Sequence, residues 1–590
     1  MNSSNPSSTV PSAATSDRAD TVNEAQEPQQ PEVPPVEWSD LTKEKLKQEE
    51  VFNGLLDHGL FAEKLPPCFT SVGLANFVSE TKMGILDESD ENNLRNVIDK
   101  CAHDYVRFEA LRDTNIPRHM GIPHPESYAV QALAISKHWR EIATHCNLPK
   151  PAISRIYVRH VGNGRIFEMN YKGTEHFRLE EEELEWMAGA QYVVEADIAS
   201  CFPSIYSHSI PWALHTKDQA KKTSSLIRLF GNLLDKCTQN TRDRQTNGLL
   251  IGPNASNIIS EIILTSIDAD LQSKGHRKVK RHIDDYRFYA NSHEEAEKFI
   301  QDLGLSLRVF ELSLNEKKTC IKALPRPSDE NWVLVLNRFP FPEGGEVRFS
   351  VIRSFLDQAL ECAQITGKSS PLNYAIKVIA KGRTQDNPNE SVTARKLNPR
   401  AKRMYVREAM NLALAFPYLL PLLDKFVFAN YWIDGLESKI AELSASLIKL
   451  GLRKLYPDTI SHALYLAMKH EILLPLTDEE LIEIAGLGDC FANVMLLEYA
   501  RLNKRKKIVA AVTKYAKTLL SAESREIDKH WLLVYQVWSV SQLDGNGQGF
   551  LARLKEKGFE FFRVPKPRSE KLTAEDVPES ISSMVWSEYV

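Results

Sequence analysis

The sequence lacks the features that would place it in a membrane, outside the cell or among strongly basic proteins. Its net charge is −5 over 590 residues, so contact with nucleic acid would have to come from local basic clusters. The eight cysteines are scattered without a C-x-x-C pair, which predicts reduced thiols in a cytosolic protein. No apolar signal segment opens the chain. The longest apolar run, residues 412–423, is broken by prolines and is too short to cross a bilayer.

What the sequence does contain is typical of a soluble protein with more than one core. Hydrophobic residues make up 43% and charged residues 26% of the chain, and its length predicts two to four domains. Residues 1–38 are rich in Ser, Pro, Gln and Glu, which predicts a disordered tail. Helical periodicity favours helices at residues 92–111 and 128–145, and residues 192–196 form an apolar strand pattern.

The second half of the chain has a different pattern from the first. After about residue 345 the strand signals disappear, and apolar side chains recur at helical spacing over 440–450 and 508–519. This predicts stacked helix pairs resembling an α-solenoid. Residues 333–341 are a candidate strand just before this region. The segment 381–403 is a long basic loop that could contact phosphates, although a solvated charged loop is the alternative.

Two adjacent acids, Asp284 and Asp285, lie between two runs that alternate like strands. Strand, tight turn and strand predict a β-hairpin whose tip carries both carboxylates. Two neighbouring carboxylates cannot both be buried without a cation to neutralise them. A polar surface turn is the simpler interpretation of this stretch taken alone.

A third acid, Asp197, follows the apolar strand at 192–196. Alone it could be a helix N-cap. Together with Asp284 and Asp285 it would supply a third carboxylate from a neighbouring strand, and such a set of hard oxygen ligands suits Mg²⁺. Two such ions can activate a 3′-hydroxyl and stabilise a leaving pyrophosphate.

The order of elements from residue 197 to 320 supports this grouping. Strand, helix, loop, helix, hairpin, helix and strand describe a split βαβ, or ferredoxin-like, sheet. That is the palm architecture of nucleic-acid polymerases. The fold class predicted for the chain is therefore α+β, with an all-α domain after the sheet.

Three further positions have both a functional and a structural interpretation. Phe202 would face the sugar of an incoming nucleotide and exclude a 2′-hydroxyl, or it is an ordinary core ring. Gly252, in the loop 248–256, would allow close approach of the backbone to a nucleotide, or it simply begins a helix. Lys318 could neutralise a phosphate or donate a proton to pyrophosphate, or it is a solvated lysine.

These residues resemble the motifs of reverse transcriptases. Residues 197–202 are similar to motif A, 248–256 to motif B, 282–285 to the Tyr-x-Asp-Asp box of motif C, and 314–319 to motif D. The extended stretch 202–215 resembles bacterial abortive-infection (Abi-type) and related defence-associated reverse transcriptases. Residues 59–70 and the pair His124-Pro125 also resemble the N-terminal region of that group.

The resemblance implies a fold and a division into domains. Residues 1–38 would be the disordered tail, 39–190 the N-terminal helices and fingers, and 191–345 the reverse-transcriptase palm. Residues 346–590 would be the HEAT-like helical domain that such enzymes carry.

The resemblance also implies a site and a set of partners. Asp197, Asp284 and Asp285 would be catalytic and bind two Mg²⁺ ions, or Mn²⁺, with Ile198 as a further metal and nucleotide contact. Phe202, Gly252 and Lys318 would bind the nucleotide. The partners would be dNTPs, a DNA product that could be attached to the protein, RNA, a phage-encoded trigger and further copies of the chain. No membrane partner is expected, and the location would be the bacterial cytoplasm.

The sequence departs from the reverse-transcriptase pattern at two positions. His282 replaces the usual tyrosine of motif C, and Ile251 stands where templated enzymes commonly have Gln. An apolar side chain at residue 251 cannot hydrogen-bond a template or nucleotide, which fits weakened template dependence. The resemblance to the defence-associated enzymes implies synthesis without a template and from a protein hydroxyl as primer. A templated enzyme of the retron or intron type and a non-catalytic scaffold with a degenerate palm remain alternatives. No motif selects a priming residue.

Overall fold

The β-strands of the described residues all precede residue 324, and the chain after them contains helices. The computed structural model describes residues 46–81, 90–111, 117–146, 152–154, 157–162, 164–168, 183–327, 330–342, 344–381 and 394–565. The tail predicted at residues 1–38 and most of the basic loop at 381–403 lie outside these residues. No helix in these ranges combines the length and the apolar character needed to cross a bilayer.

The N-terminal part combines five helices with short strands. The helices are Gln48–His58 (α1), Leu74–Glu80 (α2), Glu91–Lys100 (α3), Pro125–Lys137 (α4) and Trp139–Cys146 (α5). The strands are Tyr105–Leu111 (β1), Pro117–Pro123 (β2), Ala152–Ser154 (β3), Tyr157–Gly162 (β4) and Arg165–Glu168 (β5). β1 pairs antiparallel with β2, and β4 pairs antiparallel with β5.

One helix predicted in this part was wrong in its second half. The helix expected over residues 92–111 ends at Lys100, and β1 follows it. The buried side chains of β1, Val106, Phe108 and Ala110, alternate with more exposed ones. This period of two suits a strand with one buried face, and pairing with β2 outweighs the helical propensity of the segment.

The central part follows the predicted order of elements, except that four helices stand where one helix and a loop were predicted. It contains Tyr192–Asp197 (β6), Cys201–Ser204 (α6), Ser209–His215 (α7), Lys217–Lys222 (α8), Phe230–Asn240 (α9), Asn254–Ser273 (α10), Val279–His282 (β7), Asp285–Ala290 (β8), His293–Val309 (α11) and Cys320–Ala323 (β9). A five-stranded sheet has the order β3-β7-β8-β6-β9. Its pairs are antiparallel except for the parallel pair of β3 and β7. The hairpin, the strand at 192–196, and the helices predicted before and after the hairpin (α10 and α11) are confirmed.

Apolar packing holds the helices against this sheet. The Phe299 ring of α11 stacks on the Phe288 ring of β8 with their centroids 4.4 Å apart, and both rings are buried. Full burial of one such side chain contributes roughly 1.5–3 kcal/mol. The helices therefore cover the face of the sheet that carries Phe288, whereas Glu195 and Lys322 on the opposite face are each about one-third exposed.

The C-terminal part consists of helices. They are Asn331–Asn337 (α12), Phe349–Thr366 (α13), Ser370–Lys381 (α14), Pro399–Ala415 (α15), Leu420–Leu422 (α16), Leu436–Lys454 (α17), Pro457–Lys469 (α18), Asp478–Gly486 (α19), Cys490–Leu502 (α20), Lys506–Thr518 (α21), Ser524–Asp528 (α22), Trp531–Val537 (α23), Val540–Gly545 (α24) and Gly549–Glu556 (α25). Short 3₁₀ turns lie at Pro417–Leu419 and Leu519–Ser521, and a π-helix lies at Leu423–Phe428.

The candidate strand at residues 333–341 was wrong, because α12 covers its first half. Trp332, Val333 and Leu336 are the buried side chains of α12, and this spacing places them on one side of a helix. A short run of β-branched and aromatic residues does not distinguish a strand from a buried helix. The helical character expected after residue 345 is confirmed for the described residues.

The two ends of the described chain are joined directly. The backbone N–H of Thr70 donates to the carbonyl of Phe561 at 2.9 Å, and that of Arg563 donates to the carbonyl of Cys68 at 2.8 Å. Leu46 and the described residues after it form one compact unit. The predicted division of this unit into domains at residues 190 and 345 stays a prediction.

A buried polar cluster strengthens this joint. Nδ1 of His103 lies 3.2 Å from the carboxylate oxygens of Asp528, and its Nε2 lies 2.9 Å from Oε2 of Glu126. Gln548 contacts both Asp528, at 2.8 Å, and His124, at 3.0 Å. Burial disfavours the charged ring of His103, but its hydrogen bonds and the two carboxylate charges outweigh burial and raise its pKa to about 9.

The raised pKa of His103 makes this joint dependent on pH. The charged His103 ring stabilises the folded protein by on the order of 3 kcal/mol. This stabilisation is fully present below the pKa of the unfolded chain, about 6.5, and is lost as pH rises through the folded pKa of about 9. We expect Asp528→Asn to lower the melting temperature most at about pH 6 and least above about pH 9. The matched control Asp544→Asn, on exposed α24, should show no such trend. A constant difference between wild type and Asp528→Asn over this range would contradict a charged His103.

Candidate active site

The structure brings together the three acids that the sequence singled out. Asp197 is the last residue of β6 and is the direct cross-strand partner of Asp285, the first residue of β8. Asp284 lies in the two-residue turn between β7 and β8. One carboxylate oxygen from each of the three acids lies within 4.8 Å of the others. Asp197 and Asp284, which are 87 residues apart in the chain, therefore lie at the same end of the sheet.

The turn that carries Asp284 has an unusual backbone conformation. Ile283 has φ +56°, in the left-handed region that a β-branched residue adopts at a cost on the order of 1–3 kcal/mol. The carbonyl of Asp284 accepts a hydrogen bond from the backbone N–H of Ile198 at 3.2 Å. This bond ties the turn to the residue that follows Asp197.

A buried arginine stabilises the strained turn through a hydrogen bond to its backbone. Arg281 of β7 has no exposed side-chain surface. It donates to Glu261 at 3.0 Å and to Asp268 at 2.8–3.0 Å, and its Nη1 also donates to the carbonyl of Ile283 at 3.0 Å. The hydroxyl of Tyr286 completes the network with a 3.2 Å bond to Asp268. The guanidinium thereby links the turn to α10.

The sequence reasoning did not select Arg281 or its partners. A signal for them exists, because Glu261 and Asp268 are two helical turns apart on the otherwise buried side of α10. Two acids at that spacing within a buried helix require a cation. Arg281 lies on the nearby hairpin and supplies it.

Two residues of the 314–319 stretch contact Asp197. Nζ of Lys318 lies 3.2 Å from Oδ1 of Asp197, and Nδ2 of Asn315 donates to Oδ2 at 2.8 Å. The backbone N–H of Asn315 also donates to the carbonyl of Asp197 at 2.7 Å. Lys318 was predicted as a site residue, whereas Asn315 was missed although it belongs to the same motif. The side chain of Lys318 is 65% exposed, so it can also reach toward solvent.

The crowding of the carboxylates changes their ionisation. Burial, the hydrogen bond to Asp197 and the negative charges of Asp284 and Asp197 raise the pKa of Asp285 to about 7. Burial and the charge of Asp197 also raise the pKa of Asp284. The positive charges of Lys318 and Arg118 oppose the rise at Asp284. Arg118, on β2, is a basic neighbour of the site that the sequence reasoning did not identify.

The remaining predicted site residues lie on the loops next to the acids. The side chain of Ile198 is buried, so only its backbone could contact a metal or nucleotide. Phe202 is half-buried, and its carbonyl accepts a hydrogen bond from the N–H of Leu249 at 2.7 Å. This bond joins the predicted motif A to the predicted motif B.

Local packing explains the glycine at residue 252. Gly252 has φ +129°, and a Cβ there would lie 3.0 Å from Cβ of Ala62. The preceding carbonyl, of Ile251, accepts the N–H of Gly121 at 3.1 Å. The requirement for glycine thus comes from contact with the N-terminal part, and its role in nucleotide binding stays a prediction.

The three acids fit a divalent cation. They offer only hard oxygen ligands, which Mg²⁺ and Mn²⁺ accept. Burial and the neighbouring carboxylates raise the pKa values of Asp284 and Asp285 despite the nearby positive charge of Lys318. Asp197, Asp284 and Asp285 are therefore the side chains that would hold the ion.

Metal binding should depend on pH. The pKa of Asp285 is higher in the folded protein, about 7, than in the unfolded chain, about 4. In the metal-free protein, the ionisation of Asp285 therefore lowers the free energy of unfolding as pH rises from about 4 through about 7. Mg²⁺ must displace that proton, so we expect MgCl₂ to raise the melting temperature strongly at about pH 8 and little at about pH 5.5. The double variant Asp284→Asn with Asp285→Asn should lose this response. An equal response in wild type and the double variant would contradict a metal site here.

The Arg281 network should be required to hold the turn. Arg281→Lys keeps the charge but cannot bond both acids and the carbonyl of Ile283, and breaking a buried pair costs about 3–5 kcal/mol. We expect a lower melting temperature and a weaker stabilisation by Mg²⁺. Arg287→Lys is the matched control, because Arg287 lies on the same hairpin and makes a single, partly exposed pair with Glu183. Equal effects of the two substitutions would contradict a special role for Arg281.

Comparison with known proteins identifies the domain that contains this site. Residues 136–359 match the family model for reverse transcriptase (RNA-dependent DNA polymerase). No curated protein sequence matches the chain. Among solved structures, the chain is similar to apo telomerase from Candida tropicalis, at 9% identity over 78% of this chain and 77% of that chain, with a TM-score of 0.28. It is also similar to telomerase from Candida albicans in complex with the TWJ fragment of telomeric RNA, at 11% identity over 72% and 66%, with a TM-score of 0.25.

The matched span contains the three acids, the Arg281 network and Lys318, and most of the C-terminal helices follow it. Residues 136–359 are thus a reverse transcriptase domain, and the chain is an RNA-directed DNA polymerase-type nucleotidyltransferase.

Proposed function

We propose that this polymerase is an antiphage defence enzyme that joins dNTPs into DNA without a template, starting from a hydroxyl group of the protein itself. The observation that carries the polymerase chemistry is the convergence of Asp197, Asp284 and Asp285 within 4.8 Å. In the same proposal the five-stranded sheet is a ferredoxin-like palm, and the C-terminal helices form a HEAT-like domain. The enzyme acts in the bacterial cytoplasm as a homo-oligomer and responds to a phage-encoded trigger.

The reaction is a phosphoryl transfer. A 3′-hydroxyl, or a protein hydroxyl in the first step, attacks the α-phosphorus of a dNTP, and pyrophosphate leaves. Bound Mg²⁺ or Mn²⁺ supplies the positive charge that activates the hydroxyl and stabilises the leaving group. The chain contributes by holding three carboxylates at one strand end and by fixing the turn that carries Asp284.

Lys318 and Phe202 contribute to nucleotide binding in this proposal. Nζ of Lys318 is 3.2 Å from Asp197 and on the exposed side of the cluster, from which it can neutralise the triphosphate or protonate pyrophosphate. Phe202 lies five residues after Asp197 at the joint with the 248–252 loop, where a ring would exclude a ribose 2′-hydroxyl.

Ile251 supports synthesis without a template. Its side chain is half-buried against the core, and its carbonyl already accepts the N–H of Gly121. It offers no side-chain hydrogen bond to a template base. The defence role is supported by the resemblance of residues 202–215 to abortive-infection reverse transcriptases.

Templated synthesis is the second candidate, because the matching family model describes RNA-dependent DNA polymerases. The His282 substitution in motif C does not decide between the two. Both candidates use the same acids, so they differ only in what directs and primes the product.

An assay with purified protein, Mg²⁺ and each dNTP, without added template, tests the proposal. We expect DNA that stays attached to the protein and is released by protease. Asp284→Asn with Asp285→Asn should abolish synthesis, by at least about a thousandfold, because positioning and charge neutralisation supply most of the catalysis. Asp357→Asn, at an exposed ion pair on α13, is the matched control and should retain activity.

Other results of this assay would overturn parts of the proposal. Protein-free products that form only with an RNA template would establish templated synthesis. Phage resistance that survives the double substitution in cells would show that the protein acts as a scaffold.

A further inference from the structure

A basic groove lies on the C-terminal helices, within the part of the chain that follows the reverse transcriptase domain. It runs along α21 beside the end of α20 and encloses a volume of about 610 Å³. Its lining includes Arg501, Lys504, Lys506, Lys514 and Lys517, together with the apolar side chain of Val509. Neither the proposed chemistry nor the fold requires a concentration of positive charge here.

Within the described ranges, the protein neutralises little of the charge of the groove. Of its five basic residues, only Arg501 has an ion pair, with Glu498 at 2.6 Å. Among the described residues, no carboxylate lies within 4.0 Å of the four lysines that line the groove. The sequence of α21 contains four lysines and no acid. Because the whole chain has a net charge of −5, this cluster is a local feature and not a consequence of overall composition.

The spacing of the lysines fits a polymer of phosphates better than a single one. Residues 506, 514 and 517 follow one side of α21, since they are separated by eight and three residues. Eleven residues of helix span roughly 16 Å, which is longer than one phosphate group. The lining of the groove provides apolar surface for sugars but no aromatic ring on which a base could stack.

We propose that this groove binds the sugar–phosphate backbone of a single-stranded polynucleotide, independently of its sequence. Lysines act as point charges on phosphates, and such contacts position a strand without reading bases. A nucleic-acid polymerase produces a strand of this chemistry. The inference goes beyond the defence proposal, because binding here needs neither catalysis nor priming.

Fluorescence anisotropy of labelled oligo-dT with the full chain tests this assignment. The Asp284→Asn background and the omission of dNTPs exclude extension of the oligonucleotide. We expect Lys514→Gln with Lys517→Gln to weaken binding about tenfold and to lower the slope of log K against log salt by roughly 1.4, for two lost phosphate contacts on a single strand. Lys449→Gln with Lys454→Gln, on α17, removes the same charge from a different helix and should change neither quantity.

Further outcomes separate the groove from its alternatives. Equal binding of oligo-rU supports recognition of the shared backbone, and binding of only one of the two sugars supports a polynucleotide site that also reads the sugar. Unchanged oligonucleotide binding in the groove variant, or an equal loss in the control, overturns the assignment. A groove variant that binds oligonucleotides normally but fails to sediment with phosphatidylserine vesicles also overturns it, in favour of a membrane surface. None of these results depends on template-free synthesis. Failure of the groove proposal can therefore be distinguished from failure of the proposed defence function.

Discussion

Mutual repulsion among Asp197, Asp284 and Asp285 is the constraint on which the rest of this structure depends. Three carboxylates within 4.8 Å oppose folding unless protons or cations neutralise them. The protein supplies one close lysine, which does not prevent the pKa of Asp285 from rising to about 7. The fold must therefore hold the acids together against their own charge until a divalent cation binds.

The buried Arg281 network shows how the fold does this. A strained left-handed residue, Ile283, places Asp284 at the strand end, and the guanidinium bonded to its carbonyl is fixed by two acids of α10. Unlike a surface pair, this network cannot be exchanged for water, since removal of one partner leaves a buried charge unpaired. The turn that carries Asp284 is thus attached to α10, and its position depends on that helix.

The parts of the chain outside the sheet also contribute to the site. The N-terminal part contacts the 248–252 loop through Gly121 and Ala62. The same N-terminal part is joined to the C-terminal helices through His103 and Asp528. The N-terminal part therefore contacts both the helices at residues 528–563 and the loop at 248–252. The basic groove on α20 and α21 lies just before those helices in the chain.

Local patterns in the sequence were enough to predict the hairpin, the strand before Asp197, and helices α10 and α11. Each depends on a period of two or 3.6 within one segment. The same reasoning failed at residues 101–111 and 333–341, where short apolar runs fit either period and pairing or packing with distant segments decided the outcome. It also missed Asn315 and Arg281, since their importance depends on partners 118 and 20 residues away.

The sequence by itself determined which side chains are candidates for the chemistry, because acids at strand ends and a lysine in a matching motif can be identified from residue type and spacing. Only the tertiary structure decided how those side chains are held, ionised and neutralised. Hydrogen bonding, burial and Coulomb energy depend on distances through space, and residues far apart in the chain acquire such distances only when the chain folds.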